Sequence, residues 1–176
     1  MAKTTIVVIL VIIIVGAIAG YFFYTDYVQG TVTLRITDPP PANTPYENLQ
    51  HVYVTFTKFE IHEANSASEN GWHTIVGSLT KIDLVAAVNS SQTVGSVKLS
   101  SGRYDQIRLF ASNATIVNKL GISSTVNIPS ANQTGIKVVI NNGGLQVSAT
   151  SSTTVQLTLQ FDVTNATFTV IKADVV

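Results

Sequence analysis

The chain has 176 residues, of which 11% are charged, with ten basic against ten acidic side chains and a formal net charge of zero. This balance lacks the basic footprint of a nucleic-acid binder. The absence of cysteine removes disulfides, thiolate metal sites and cysteine nucleophiles.

The first predicted element is the uncharged run from Thr4 to Tyr24. As a helix it would be about 31 Å long at roughly 1.5 Å per residue, the thickness of a hydrocarbon core. Lys3 precedes it and Asp26 follows, which places the N-terminus inside and the remainder outside. Tyr21, Phe22, Phe23 and Tyr24 would then lie at the outer membrane interface. Gly16 and Gly20 form a G-x-x-x-G, the spacing that lets two apolar helices pack closely. Met1-Ala2-Lys3, Ile6 to Val15 and Ala17-Ile18-Ala19 also make the three parts of a signal peptide cut after Ala19. Three fates therefore stand open: removal, retention as an anchor, or burial in a filament. The Ile and Val content would also suit a donated β-strand, apolar on both faces.

From Gly30 onward the periodicity is that of strands. Thr31–Asp38 alternates strictly, with Val32, Leu34 and Ile36 on one face. In His51–Glu63 the apolar phase moves from Val52, Val54 and Phe56 to Phe59 and Ile61, which implies a bulge near Thr57-Lys58. Trp72–Val76, Gly102–Ser112, Gly135–Ile140, Thr153–Val163 and Thr167–Val175 read as further strands. Four of the five prolines fall between Asp38 and Pro45, in a loop unsuited to a sheet interior. Only the stretch "LTKIDLVAAVNSS" has room for a helical turn. These elements predict an all-β fold: an antiparallel, Ig-like or Greek-key β-sandwich of about seven to nine strands, preceded by one N-terminal apolar helix of transmembrane type. Residues 1–29 would form the helix and linker, and residues 30–176 an extracellular sandwich domain.

Candidate chemistry is sparse. Four N-x-S/T sequons, at Asn89, Asn113, Asn132 and Asn165, are candidate acceptors of N-linked glycans. Lys58, Glu60 and His62 share one face of a strand. With His51 or His73 they could make a metal or acid–base site, though a solvated strand face is the simpler reading. Asp38 before Pro39 reads as a turn residue, and Asp162 sits in the polar phase of its strand. Arg103, Asp105 and Arg108 lie close together and read as an exposed ion pair. Trp72 and Tyr104 could stack on a sugar, but more simply fill a core or cap its edge. No catalytic motif, metal-ligand set or cofactor fingerprint is present, and no catalytic, metal or cofactor site is expected.

The stretches "GTVTLRITDPP", "HVYVTFTKFEIHEA", "GWHTI", "SGRYDQIRLFAS", "VNIPSANQTGIKV" and "LTLQFDV" follow one another between Gly30 and Val163. In that order they resemble an uncharacterised family of exported β-domains of archaea and bacteria, described only as a domain of unknown function. The resemblance implies an exported or surface-anchored β-sandwich and supplies no reaction. The layout, an apolar helix before a β-rich head, is similar to that of archaeal pilin-like filament subunits, although no Lys/Arg-Gly processing site precedes the apolar run. The expected function is that of a non-enzymatic cell-surface protein, a subunit of an extracellular filament or envelope layer. Its expected partners are further copies of itself, the membrane and glycans, with no nucleic acid. The alternative is a membrane-anchored adhesion or glycan-recognition module.

Overall fold

The computed structural model describes residues 2–38, 45–67, 69–128, 131, 133–162 and 167–176. The apolar run forms a single helix, α1 (Ala2–Tyr27). A helix satisfies every interior backbone donor and acceptor within one segment, as apolar surroundings require. The cost of β-branched Ile and Val in a helix is only a few tenths of a kcal/mol per residue (about 0.5).

The strict alternation after it becomes β1 (Gln29–Thr37), with Val32, Leu34 and Ile36 buried. A 3-10 turn at Pro45–Asn48 leads into β2 (Leu49–Glu63), followed by β3 (Trp72–Val76) and β4 (Thr80–Asp83). The short helix α2 (Leu84–Asn89) is capped by Asp83, whose carboxylate accepts the Val85 N–H. Then come β5 (Gln92–Ser100), β6 (Gly102–Asn118), β7 (Ser123–Asn127), β8 (Ile136–Val139), β9 (Leu145–Val147), β10 (Ser152–Asp162) and β11 (Thr167–Val175). These eleven strands exceed the seven to nine expected because β4, β7 and β9 are too short to show a two-residue period.

The strands form two sheets. The first has the order β11-β10-β1-β5. The second has the order β3-β2-β6-β7, with β4 also on β2 and with β8 and β9 also on β6. Strand pairing is antiparallel except between β1 and β10, which run parallel from Thr31 opposite Ser152 to Thr37 opposite Thr158. The phase change expected in β2 is present as register shifts around Phe56. It turns both Phe56 and Phe59 inward, with ring centroids 4.9 Å apart.

One core lies between the sheets. Leu34, Ile36, Phe59, Ile107, Leu157 and Phe161 are among its fully buried side chains. Both flanks are closed. On one, a Cβ at Gly95 of β5 would come 2.5 Å from the Val76 side chain of β3, so only glycine admits that approach. On the other, Ile140 bridges Ala173 of β11, and the Asn141 N–H donates to the Ala173 carbonyl at 2.8 Å.

The two ends differ. At the end where α1 enters, the Val28 carbonyl accepts the Ser101 N–H and hydroxyl, and the Gln29 carbonyl accepts the Thr150 N–H. The opposite end carries α2, Asp38, and the β6–β7 hairpin, whose Lys119 N–H donates to the Asn48 carbonyl. β6 spans the distance between them, about 50 Å at roughly 3.3 Å per residue.

Candidate functional site

The densest group of aromatic and charged side chains lies on the outer face of the second sheet. β2 presents Lys58, Glu60 and His62 in alternation. Pairing sets Arg108 of β6 opposite Glu60, Lys137 of β8 opposite Arg108, and Trp72 of β3 opposite His62. The Arg108 Nε and Nη2 both reach one Glu60 oxygen, at 2.9 and 2.8 Å, and Lys58 Nζ reaches the other at 2.9 Å. Arg108 Nη1 extends to Glu69 at 3.4 Å. The guanidinium lies 4.2 Å from the Trp72 ring centroid and 5.3 Å from that of Phe110. Lys58 caps Phe110 at 4.5 Å, and Lys137 approaches Trp72 at 5.5 Å. Cations and rings thus alternate as Lys137, Trp72, Arg108, Phe110 and Lys58, each contact worth roughly 0.5–2 kcal/mol depending on desolvation.

This cover has an electrostatic consequence. Glu60 is 6% exposed and His62 7% exposed, although both project from the outer face. Reading Lys58, Glu60 and His62 as a solvated strand face is therefore corrected: Trp72, Arg108 and the β2–β3 connection roof them. The connection presses so closely that a Cβ at Gly71 would meet His62 at 2.8 Å. His62 Nδ1 lies 3.1 Å from Asp105 Oδ1. The buried carboxylate of Glu60 is satisfied by two cations, which is what permits its burial. The group clamps four strands together. It leaves Lys137 exposed and Trp72 half-buried, and its acids are engaged in ion pairs.

Two further polar pairs stand apart from it. His51 Nδ1 lies 2.6 Å from Asp83 Oδ2, and Asp83 Oδ1 accepts the Val52 N–H at 3.2 Å. At the end remote from α1, Asp38 is fully buried, and its Oδ2 accepts the Tyr46 hydroxyl at 2.7 Å. Burial pushes the Asp38 carboxyl up to about 7, partly countered by that bond. The Tyr46 hydroxyl is raised by its own burial and then by the neighbouring Asp38 charge. Asp38 is thus a buried acid, and not only a turn residue.

The remaining sequence candidates are placed as follows. His51, His62 and His73 do not converge: His51 lies about 35 Å along β2 from His62, and His73 pairs across the strand with Ile61 and approaches Glu63 at 3.5 Å. Among the described residues no three His, Asp or Glu side chains form a metal-ligand group. The expected grouping of Arg103, Asp105 and Arg108 is also corrected. Asp105, at a register shift between Tyr104 and Gln106, turns to His62, while Arg108 turns to Glu60, its direct cross-strand partner.

Tyr104 is a buried residue of the second sheet. It is 1% exposed, its hydroxyl donates to the Ser100 carbonyl at 3.1 Å, and burial raises its pKa, with the Glu63 charge adding to the effect. Trp72 contributes its ring to the cation ladder. Gly16 and Gly20 lie on exposed helix surface with nothing within 4 Å of an added Cβ. Tyr21, Phe22, Phe23 and Tyr24 are exposed. Asn89 is exposed at the end of α2, whereas Asn113 lies half-buried within β6, its Nδ2 donating to Ser112 Oγ at 3.2 Å. Asn132, Asn165 and Val163 fall outside the described residues. Sequence reasoning missed the Glu60–Arg108 and Asp38–Tyr46 pairs. The one available signal for the first was an Arg in the polar phase of a strand beside an alternating Lys-x-Glu.

Among the described residues one helix, over Ile6–Tyr24, is long and apolar enough to cross a membrane. No curated protein and no solved structure matches the chain. A family model described as a domain of unknown function, DUF4382, matches residues 29–173, from the first residue of β1 into β11, and the chain belongs to that family.

Proposed function

We propose that the protein is a non-enzymatic structural subunit of the cell surface. In this reading α1 first holds the chain in the membrane with the sandwich outside, and then joins copies into a filament or envelope layer. The observation that carries the reading is the surface of α1. Every residue from Ile6 to Tyr24 is exposed in the single chain, and none is charged. Such a helix has no polar side to turn to water, so it requires lipid or other apolar helices all around it. Gly16 and Gly20 leave room on that surface for a second helix to approach. Hydroxyl-rich outer faces on the sandwich suit an exposed sheath, and N-linked glycans at exposed sequons would add to it.

Negative-stain imaging of protein from its native membrane, with mass determination of its N-terminus, tests the reading. Helical filaments or ordered layers retaining α1 are the expected result. Monomers that begin after Ala19 would remove it.

The half-exposed Trp72, flanked by Lys137 and Arg108, supports a second reading as an anchored glycan-recognition module. Quenching or shift of the Trp72 emission by cell-envelope polysaccharide would favour that alternative.

A further inference from the structure

Val28 belongs to both parts of the molecule. α1 ends at Tyr27 and β1 begins at Gln29, so Val28 alone separates them. Its N–H donates to the Tyr24 carbonyl at 3.2 Å, which closes the last turn of α1. Its own carbonyl accepts the Ser101 N–H at 2.9 Å and the Ser101 hydroxyl at 2.8 Å. The residues that follow are held as closely. The Gln29 carbonyl accepts the Thr150 N–H, and the Thr31 N–H donates to the Ser151 carbonyl at 2.7 Å. A Cβ at Gly30 would come 2.5 Å from the Ser148 carbonyl oxygen, so the β9–β10 turn packs directly on the point where α1 ends.

The apolar stretch Ile6–Tyr24 has 19 residues. As a helix it is about 28 Å long, against about 30 Å for a hydrocarbon core. With that stretch in the core, Tyr24 marks the outer boundary, and Val28 stands about 6 Å beyond it. The polar layer on each side of a core is about 5–8 Å thick, so Val28 and the two turns bonded to it fall within that layer. The turns have matching chemistry. Ser100, Ser101, Ser148 and Thr150 are exposed there. Lys98 and Arg103 are exposed on the outer faces of the first and second sheets, beside the inward-facing Leu99 and Tyr104. Each brings a cation of the kind that pairs with phosphate.

We propose that this end of the sandwich, the turn at Ser101 and the turn at Ser148–Ser151 with Lys98 and Arg103, is seated in the phospholipid headgroup layer, and that the Val28 junction holds it there. The occupant is the bilayer because the surface is continuous with α1, whose apolar length calls for lipid and whose last turn is bonded to the sandwich without slack. The inference rests on the membrane-anchored stage of the reading above. It adds that the sandwich docks on the bilayer by one end and does not swing on a tether.

The chain contains no cysteine, so one introduced thiol carries a label at one site. Full-length Ser100→Cys, Ser148→Cys and Leu120→Cys variants, each labelled with a fluorophore, are reconstituted into phosphatidylcholine vesicles with and without a nitroxide on the lipid headgroup. The nitroxide should quench the labels at positions 100 and 148 at least twofold and leave the label at position 120, at the opposite end, unchanged. Protein that stays with the vesicles at alkaline pH but shows no quenching at positions 100 and 148 would overturn the seating while leaving the anchored reading intact. Equal quenching at all three positions would also overturn it, by showing that the sandwich lies along the bilayer. A Gly/Ser insertion of about ten residues between Tyr27 and Val28, with a mean span of about 17 Å, leaves the Val28–Ser101 bonds in place but loosens the tether. It should reduce the quenching at least twofold, and undiminished quenching would overturn the junction as what holds this end down. Release of the unsubstituted chain from vesicles by alkali removes the anchored reading, and this seating with it.

Discussion

Tyr46 Oη lies 2.7 Å from Asp38 Oδ2 and 3.5 Å from the carbonyl oxygen of Phe161, so one hydroxyl ties the end of β1 to β10. The other oxygen, Asp38 Oδ1, has no hydrogen-bond partner among the described residues. Neutral Asp38 is therefore easier to bury than ionised Asp38. Its folded pKa, about 7, lies above the ordinary value of 3.8, so its contribution to stability is complete below about pH 4 and is lost as pH rises through 7. The largest possible loss is about 4 kcal/mol.

Denaturant unfolding of the full chain and of Asp38→Asn, at pH 5 and pH 8, checks this. The substitution should cost more stability at pH 5 than at pH 8, because only the wild type weakens over that interval. An equal difference at both values would show that Asp38 does not titrate there. Tyr46→Phe removes the bond that favours the ionised form, so the wild-type decline should extend to higher pH.

Arg108 is both the ion-pair partner of buried Glu60 and the plate over Trp72. Arg108→Ala leaves Glu60 with Lys58 as its remaining ion-pair partner and should cost about 2–4 kcal/mol, near the range for breaking buried pairs. Arg108→Lys keeps the charge but loses the fork and the planar stack, and should cost less, about 1–2 kcal/mol. Trp72 is the single tryptophan. Its emission should shift to the red in Arg108→Ala, which reports uncovering independently of stability. A spectrum unchanged from wild type would mean that Arg108 does not cover the ring.

The two described sequons differ in access. Asn89 is exposed at the end of α2, while the Asn113 amide donates to Ser112 within a strand paired on both sides. If the native protein is glycosylated on its folded domain, intact glycopeptide mass spectrometry should find sugar at Asn89 and not at Asn113. Full occupancy of Asn113 with bare Asn89 would reverse the assignment.

Gly16→Leu/Gly20→Leu fills the open strip on α1. Association through that strip should weaken, because leucine side chains hold the two backbones apart. Unfolding of the sandwich should not change, since no core residue touches these positions. Sedimentation in detergent at several concentrations measures the first, and circular dichroism melting the second. Unaltered association would place the contact elsewhere.

The parts legible in sequence were those with a local period. Val32, Leu34 and Ile36 alternate along β1 and are buried on the one face expected for them. The double inward turn at Phe56 and Phe59 was readable as a phase change. The stretch with room for a helical turn, "LTKIDLVAAVNSS", holds α2. Relationships between distant strands carry no such mark. Nothing near Thr31 or Ser152 announces that they pair, or that they do so in parallel. For the same reason Asp105 looked like the partner of Arg108, being three residues away, when Glu60 lies opposite it across the sheet. The burial of Glu60 and His62 was hidden because their cover comes from other strands and from a turn closed by Gly71.

The parallel pairing of β1 and β10 also fixes an order of events. β1 is bounded on one side by β5 and on the other by a strand about 120 residues later in the chain, a separation that slows closure. A polypeptide that crosses a membrane behind a retained α1, with β1 leading, cannot seal this sheet until almost all of it has crossed. The hydrophobic edge of β1 stays open until the C-terminal hairpin arrives, and the last segment delivered is the one that locks the first.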